Sequence, residues 1–159
     1  MSTIRVVWGS GTAPTKMASY DSALADAGIE NYNLVAVSSV IPAETDVEAV
    51  GTAPDLGPAG NRLTVVEACA TTAGPGRVSA ALGWSQSVDG GPGLFYEAAE
   101  TTDSEDVERR VREGLDAGKA LREWDFGESN VRVESDTAES GGYTTAVVVA
   151  VYGDSRPIL

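Results

Sequence analysis

The sequence predicts an α+β fold, with an antiparallel or mixed sheet covered by helices. Two observations carry this. Six to eight short runs of strand type follow one another, most of them separated by Gly-rich turns. Only two stretches show helical spacing, and they lie far apart along the chain, so a regular βαβα alternation is missing. The 159 residues, 42% of them hydrophobic, suffice for one domain with a sizeable core.

Taken in order, Ile4 to Trp8 reads as a first strand, ended by Gly9-Ser10-Gly11. A helix is predicted from Thr15 to Ala27. Pro14 stands at its entrance, Met17, Tyr20, Leu24 and Ala27 form its apolar stripe, and Gly28 caps its end. Asn33 to Val37 is a short strand, and Val40-Ile41-Pro42 resumes its apolar character after two serines. Residues 43–61 read as a surface loop with a short strand near Val47 to Val50. Arg62 to Thr72 and Arg77 to Trp84 are strands whose Gly74-Pro75-Gly76 turn predicts a hairpin. After a turn at Gly90 to Gly93, a strand runs from Leu94 to Ala99. Asp103 or Ser104 caps a long helix to about Trp124, with Val107, Val111, Leu115 and Leu121 as its stripe. Strands Asn130 to Ser135 and Tyr143 to Tyr152 close the chain.

Composition narrows the chemistry. There is no histidine, one cysteine (Cys69), and only Lys16 and Lys119 as lysines. His-based triads, His metal sites and intrachain disulfides are excluded, and a lysine Schiff base has few candidates. The remaining Asp and Glu runs, such as Asp103 to Glu108, read as helix-start electrostatics and not as a metal site. No Gly-Lys-Ser or Gly-Lys-Thr occurs, so there is no phosphate loop. Cys69 and the three tryptophans read as packing residues, and the two lysines as surface cations.

The net charge is −13. Such a surface repels phosphate backbones and anionic membranes, so neither nucleic acid nor a membrane is an expected partner. Acidity with scarce lysine and abundant Ala, Val, Gly and Thr looks like the cytoplasmic proteins of an extreme halophile, where high salt screens the self-repulsion. No secretory or spanning pattern is visible, and the expected location is the cytoplasm.

An electrophile must therefore come from the chain itself, and Ser38-Ser39 supplies a candidate. A serine hydroxyl can attack the preceding carbonyl in a strained turn, replacing the amide by an ester. Elimination leaves dehydroalanine, which hydrolyses to a pyruvoyl group and ammonia. Such a carbonyl is an electron sink that needs no added cofactor. Two adjacent serines alone usually mean only a turn.

The surrounding run Gly28 to Pro42, GIENYNLVAVSSVIP, resembles the processing segment of the archaeal-type pyruvoyl-dependent arginine decarboxylases. The likeness extends upstream to Tyr20-Asp21-Ser22-Ala23-Leu24 and downstream to Leu94-Phe95-Tyr96-Glu97-Ala98-Ala99. It departs from the family pattern at Ala36, where a larger residue is common, and in the acidic linker 43–61.

The resemblance implies self-cleavage between Ser38 and Ser39, giving a β chain 1–38 and an α chain 39–159 of a single domain, with Ser39 becoming the pyruvoyl group. It implies a four-layer αββα sandwich with mostly antiparallel sheets. It also implies a homo-oligomer of αβ units, trimer or hexamer, with the active site between protomers. The implied reaction is decarboxylation of L-arginine to agmatine and CO2. Asn33 matches the family asparagine near the cleavage site, and its amide is suited to donate to the carbonyl under attack. It could equally end the turn before a strand.

Glu97 matches the family's proton-donating glutamate, and within its apolar strand a raised pKa would keep it protonated; strand alternation could instead turn it to solvent. Asp21 matches the residue that receives the substrate side chain, since a carboxylate accepts a guanidinium with two parallel bonds; it could also be a solvated helix acid. Leu24 and Tyr32 match pocket-lining positions and could equally be core. Three alternatives stay open: a decarboxylase of another amino acid, an amidohydrolase with Ser39 as a freed N-terminal nucleophile, and a non-enzymatic, uncleaved trimeric binding domain.

Overall fold

In the computed structural model, which describes residues 2–159, the chain forms nine strands and two helices. They are β1 (Ser2–Ala13), α1 (Lys16–Asp26), β2 (Asn33–Ala36), β3 (Val40–Ile41), β4 (Thr45–Gly51), β5 (Arg62–Ala73), β6 (Gly76–Ser87), β7 (Gly93–Glu100), α2 (Ser104–Ala120), β8 (Phe126–Ala138) and β9 (Tyr143–Tyr152). One sheet has the order β2-β5-β9-β1-β4 and the other β3-β7-β6-β8. Only β1 with β4 and β2 with β5 run parallel; every other pair is antiparallel. This is the expected α+β class.

The two sheets lie face to face, with a helix on each outer face. Ile4, Val6, Val66, Val148 and Ala150 of the first sheet meet Val78, Leu82, Trp84 and Phe95 of the second. Ala23, Leu24 and Ala27 of α1 cover Val147, Val149 and Val151. Val107, Val111 and Leu115 of α2 cover Ala81 and Leu94. The apolar run in β9 is thereby explained: alternate residues face the opposite sheet and α1, so both faces are buried.

The helices begin and end on sequence signals. Thr15 caps α1 through the Ala18 N–H, and Asp103 caps α2 through the Asp106 N–H at 2.9 Å. Gly28, at φ +81°, closes α1: its N–H donates to the Ala25 carbonyl, and the Ile29 N–H to that of Leu24.

The structure corrects several element boundaries. β1 does not stop at Gly9-Ser10-Gly11 but runs through to Ala13. These glycines are in the strand because α1 lies directly on it: a Cβ on Gly9 would stand 2.6 Å from the Ala23 carbonyl oxygen, and one on Gly11 2.6 Å from the Ala23 nitrogen. β5 and β6 are not a hairpin. They pair with different strands in different sheets, and the Gly-Pro-Gly corner carries the chain across the sandwich. β6 is an interior strand of the second sheet, paired with β7 and β8 and buried on both faces from Val78 to Trp84, whereas β5 pairs with β9 in the first sheet. The β8–β9 corner crosses in the same way, and β6–β7 alone forms a hairpin among the paired consecutive strands.

The linker 43–61 adds a full edge strand, β4, parallel to β1. α2 ends at Ala120, which leaves Leu121 82% exposed, and Met17 on α1 is 71% exposed, so neither belongs to the core stripe. Lys119 is not a free surface cation: its Nζ donates to Ser129 Oγ at 2.6 Å and stands over the Phe126 ring. No helix among the described residues is long and apolar enough to cross a membrane.

Candidate active site

The two serines lie where the chain leaves one sheet for the other. β2 pairs with β5 in the first sheet, and the Val37 N–H still donates to the Val65 carbonyl at 2.9 Å. Two residues later the Ser39 carbonyl accepts from the Phe95 N–H at 2.7 Å, and β3 pairs with β7 in the second sheet. The Ser38–Ser39 peptide link is thus the span between two anchored points. Ser38 is exposed and Ser39 partly buried. Ser39 borders a cavity of about 400 Å³ between β7 and α2, walled by Leu94, Tyr96, Gly114, Leu115 and Arg122 among others. Gly114 is needed there, because the Tyr96 ring occupies the place its Cβ would take.

Beyond this crossover both sheets lose their outermost strand. β2 covers β5 only through Val65, and β3 covers β7 only at Gly93 and Leu94. The rest of β5 and β7 forms two open edges on the side of the serines, and each carries a glutamate. Glu97 follows Phe95 on the face that looks toward the first sheet. Glu97 is nevertheless an exposed residue at the open edge; partial desolvation of its carboxyl, reinforced by repulsion from Glu67, raises its pKa above the ordinary glutamate value. Glu67 on β5 faces α1, where its carboxylate accepts a 2.7 Å hydrogen bond from the Tyr20 hydroxyl. Burial raises the Glu67 pKa, and the Tyr20 hydrogen bond acts against that rise. The Tyr20 hydroxyl is itself harder to ionise, through burial and through the Glu67 charge beside it.

A family model described as pyruvoyl-dependent arginine decarboxylase matches residues 3–157. A curated protein of that name from Halobacterium salinarum is 60% identical over 158 residues, covering 99% of this chain and 98% of the relative. Another from Thermococcus kodakarensis is 35% identical over 151 residues, covering 93% and 94%. One from Methanopyrus kandleri is 32% identical, covering 92% and 93%. The chain belongs to the pyruvoyl-dependent arginine decarboxylase family. It is therefore a member of a family of lyases whose cofactor is a covalently bound pyruvoyl group. The acidic composition fits the halophilic source of the 60% identical relative.

The crossover suits a pyruvoyl-dependent decarboxylase. The residue that would carry the group borders a cavity with largely apolar walls and no lysine. Of the other residues singled out in the sequence, none lines that cavity within one chain. Asn33 opens β2, five residues before Ser38, and its Nδ2 donates to the Gly60 carbonyl at 2.8 Å. Asp21 is exposed on α1 and takes part in none of the ion pairs among the described residues. Leu24 and Tyr32 come together in the layer between α1 and the first sheet. Leu24 is buried there, and the Tyr32 hydroxyl donates to the Gly57 carbonyl at 2.9 Å and accepts from the Leu56 N–H, pinning the linker. Ala36 is exposed at the end of β2, so its small side chain leaves no hole in the core.

Two contributors escaped the sequence reading. Glu67 is an acid inside an apolar strand run, Leu63 to Ala70, as Glu97 is, but no resemblance to the family segment marks it. Arg122 follows α2; its Nη1 donates to the Gly118 carbonyl at 2.9 Å and its guanidinium stands over Trp124 at the cavity wall. No motif marks it.

Proposed function

We propose that the chain cleaves itself between Ser38 and Ser39, and that the resulting enzyme decarboxylates L-arginine to agmatine and CO2. The observation that carries this reading is the crossover: a Ser-Ser link held from two different sheets, with Ser39 at the mouth of a cavity. The Val65 and Phe95 bonds fix the chain on either side of the link, so its torsions are set by the separation of the sheets and not by a turn of its own. In that setting Ser39 Oγ attacks the Ser38 carbonyl. The products are chains 1–38 and 39–159, the second beginning with the pyruvoyl group. When formed, that group supplies a carbonyl that withdraws electrons from the substrate Cα as CO2 leaves.

The remaining work falls to side chains of this protein. Glu97, whose pKa is raised by desolvation and by Glu67, delivers a proton to the substrate Cα after CO2 is lost. Asp21 receives the guanidinium with paired hydrogen bonds. Its exposure and lack of an ion pair support that role in an assembly where a second protomer faces it. Asn33 orients the carbonyl under attack, and Leu24 and Tyr32 hold the α1 side of the pocket. We assign a homo-oligomer of cleaved units, trimer or hexamer, with the site between protomers, in the cytoplasm. The open edges of β5 and β7, and the exposed Val35 and Val37 beside them, support burial of this side on assembly.

Mass spectrometry of the purified protein tests the cleavage. Two fragments are expected, the larger blocked at its N-terminus, and a free N-terminal serine would instead favour the amidohydrolase. Release of CO2 and agmatine from L-arginine, compared with lysine and ornithine, tests the substrate. A larger rate with either competitor would reassign it.

A further inference from the structure

The chain start that cleavage would create has few holds. β3 spans only Val40 and Ile41; Ile41 is buried, while Val40 is 44% exposed and anchors nothing through its side chain. Pro42 follows and has no N–H to donate. In the uncleaved chain the link is also held from its other side, by the Val37 N–H on the Val65 carbonyl. Cleavage removes that hold from residue 39, and a free chain end frays unless it is tied down.

Besides the two-residue pairing of β3 with Leu94 and Gly93, two hydrogen bonds reach this end, on consecutive carbonyls. The Ser39 carbonyl accepts from the Phe95 N–H at 2.7 Å, and the Val40 carbonyl from the Tyr152 hydroxyl at 3.0 Å. The donors come from different sheets, β7 and β9, yet they belong to one aromatic pair, because the Phe95 and Tyr152 rings pack on each other with centroids 6.1 Å apart. Tyr152 ends β9 opposite Ile4 of β1 and packs against the core between the sheets, so both its backbone and its ring are fixed. Burial pushes its hydroxyl up to about 12, so it keeps the proton that it donates.

We propose that Tyr152 is a positioning residue of the cleaved enzyme: its hydroxyl, together with the Phe95 N–H, holds the new chain start so that the group formed from Ser39 stays at the mouth of its cavity. This rests on the reading of cleavage between Ser38 and Ser39. Bonds on two successive carbonyls orient two successive peptide planes and thereby fix the torsions of Val40 between them. The Phe95 bond alone leaves the first residue free to swing. Placement matters here because a displacement of about 1 Å between reacting atoms costs on the order of 10²-fold in rate.

The test places Tyr152→Phe, which keeps the ring and its packing, in two backgrounds: the self-cleaving chain and the uncleaved Ser39→Ala chain. Intact mass establishes cleavage in each sample, and amide hydrogen exchange at Phe95 reports on the chain start. In cleaved Tyr152→Phe that exchange is expected to speed up by about 3- to 10-fold, the factor set by one neutral hydrogen bond. In Ser39→Ala, where the Val37 bond still holds, Tyr152→Phe should leave it unchanged. The kcat of cleaved Tyr152→Phe is expected to fall about tenfold with KM near the parent value. Unmoved exchange at Phe95 in the cleaved variant overturns the proposal. So does an equal acceleration in both backgrounds or along the whole of β9, which is what a merely structural hydroxyl would give. A raised KM with the parent kcat overturns it by making Tyr152 a substrate contact, and a variant that never cleaves overturns it by placing the need for the bond before cleavage. Should Tyr152→Phe not fold, the parent decides: its Phe95 N–H is expected to stay protected after cleavage, and loss of that protection refutes the clamp. An uncleaved parent sinks the cleavage reading and this proposal with it, whereas a cleaved parent with unmoved exchange in the variant sinks this proposal alone.

Discussion

The Phe95 N–H holds the Ser39 carbonyl at 2.7 Å, and that bond commits the chain after Ser38 to the second sheet. Phe95 is 1% exposed and packs against Trp84 and Tyr152 between the sheets. The residue beside the reactive link is therefore positioned from the core and not from a loop. Cleavage chemistry and fold stability meet at this point.

Removing the nucleophile isolates the first step. Ser39→Ala should give one uncleaved chain without decarboxylase activity, read by denaturing electrophoresis and intact mass. Two fragments from that variant would show that another group attacks. The fold should survive, because Ser39 is held by its backbone carbonyl, which alanine retains.

Glu97→Gln preserves the size of the side chain and removes the proton. On fully cleaved enzyme the rate should drop by ~10²–10⁴, the range for loss of a general acid. Normalising to cleaved protein separates this from slower processing. A parent-like rate from cleaved Glu97→Gln would move the proton source elsewhere.

The contact of α1 with β1 predicts a stability effect far from the chemistry. Gly9→Ala places a methyl 2.6 Å from the Ala23 carbonyl oxygen, a backbone atom that cannot rotate aside. Overpacking of this kind costs about 1–3 kcal/mol. At about 2–4 °C per kcal/mol for a chain of this length, the melting temperature should fall by several degrees. An unchanged melt would mean that helix and strand separate freely.

Salt should stabilise this protein. Its ion pairs among the described residues are mostly i,i+3 and i,i+4 contacts on α2, such as the exposed pair of Arg112 with Glu108, a kind that contributes about 0.3–0.5 kcal/mol. Screening weakens these, but it also relieves the repulsion of a net charge of −13, which acts over the whole surface. Residues 1–38 carry Arg5 and Lys16 against Asp21, Asp26 and Glu30, so the excess acid lies in the rest of the chain. The melting temperature should rise from dilute buffer to molar salt, and no rise would count against a halophilic design.

Three partly desolvated glutamates set the direction of the pH response. Burial raises Glu67, Glu97 and Glu134 above the value of an unfolded glutamate. Their contribution to stability is complete below that unfolded value and is lost as pH rises through the folded one. Asp106 runs the other way: Arg110 and Arg109 outweigh its desolvation and lower it, so its contribution disappears only in stronger acid. At low ionic strength the melting temperature should therefore be higher at about pH 5 than at about pH 8. The difference should shrink in Glu67→Gln, and the reverse order would refute the assignment.

The sequence by itself determined the class, the two helices with their caps, the strand runs and the family segment around Ser38-Ser39. These are local or linear properties: spacing, turn residues, a run of matching residues. It also singled out Glu97, through the resemblance of Leu94 to Ala99 to the family. Only the tertiary structure decided which strands pair. Gly74-Pro75-Gly76 has the look of a hairpin turn, yet β5 and β6 belong to different sheets, because a corner and a hairpin need the same local backbone and differ only in the neighbours that wait on either side. Gly9 and Gly11 likewise read as a strand end until α1 is placed on them. The partnership of Tyr20 with Glu67 joins residues 47 positions apart, and no linear spacing encodes it. That distance along the chain is bridged by packing α1 on the first sheet.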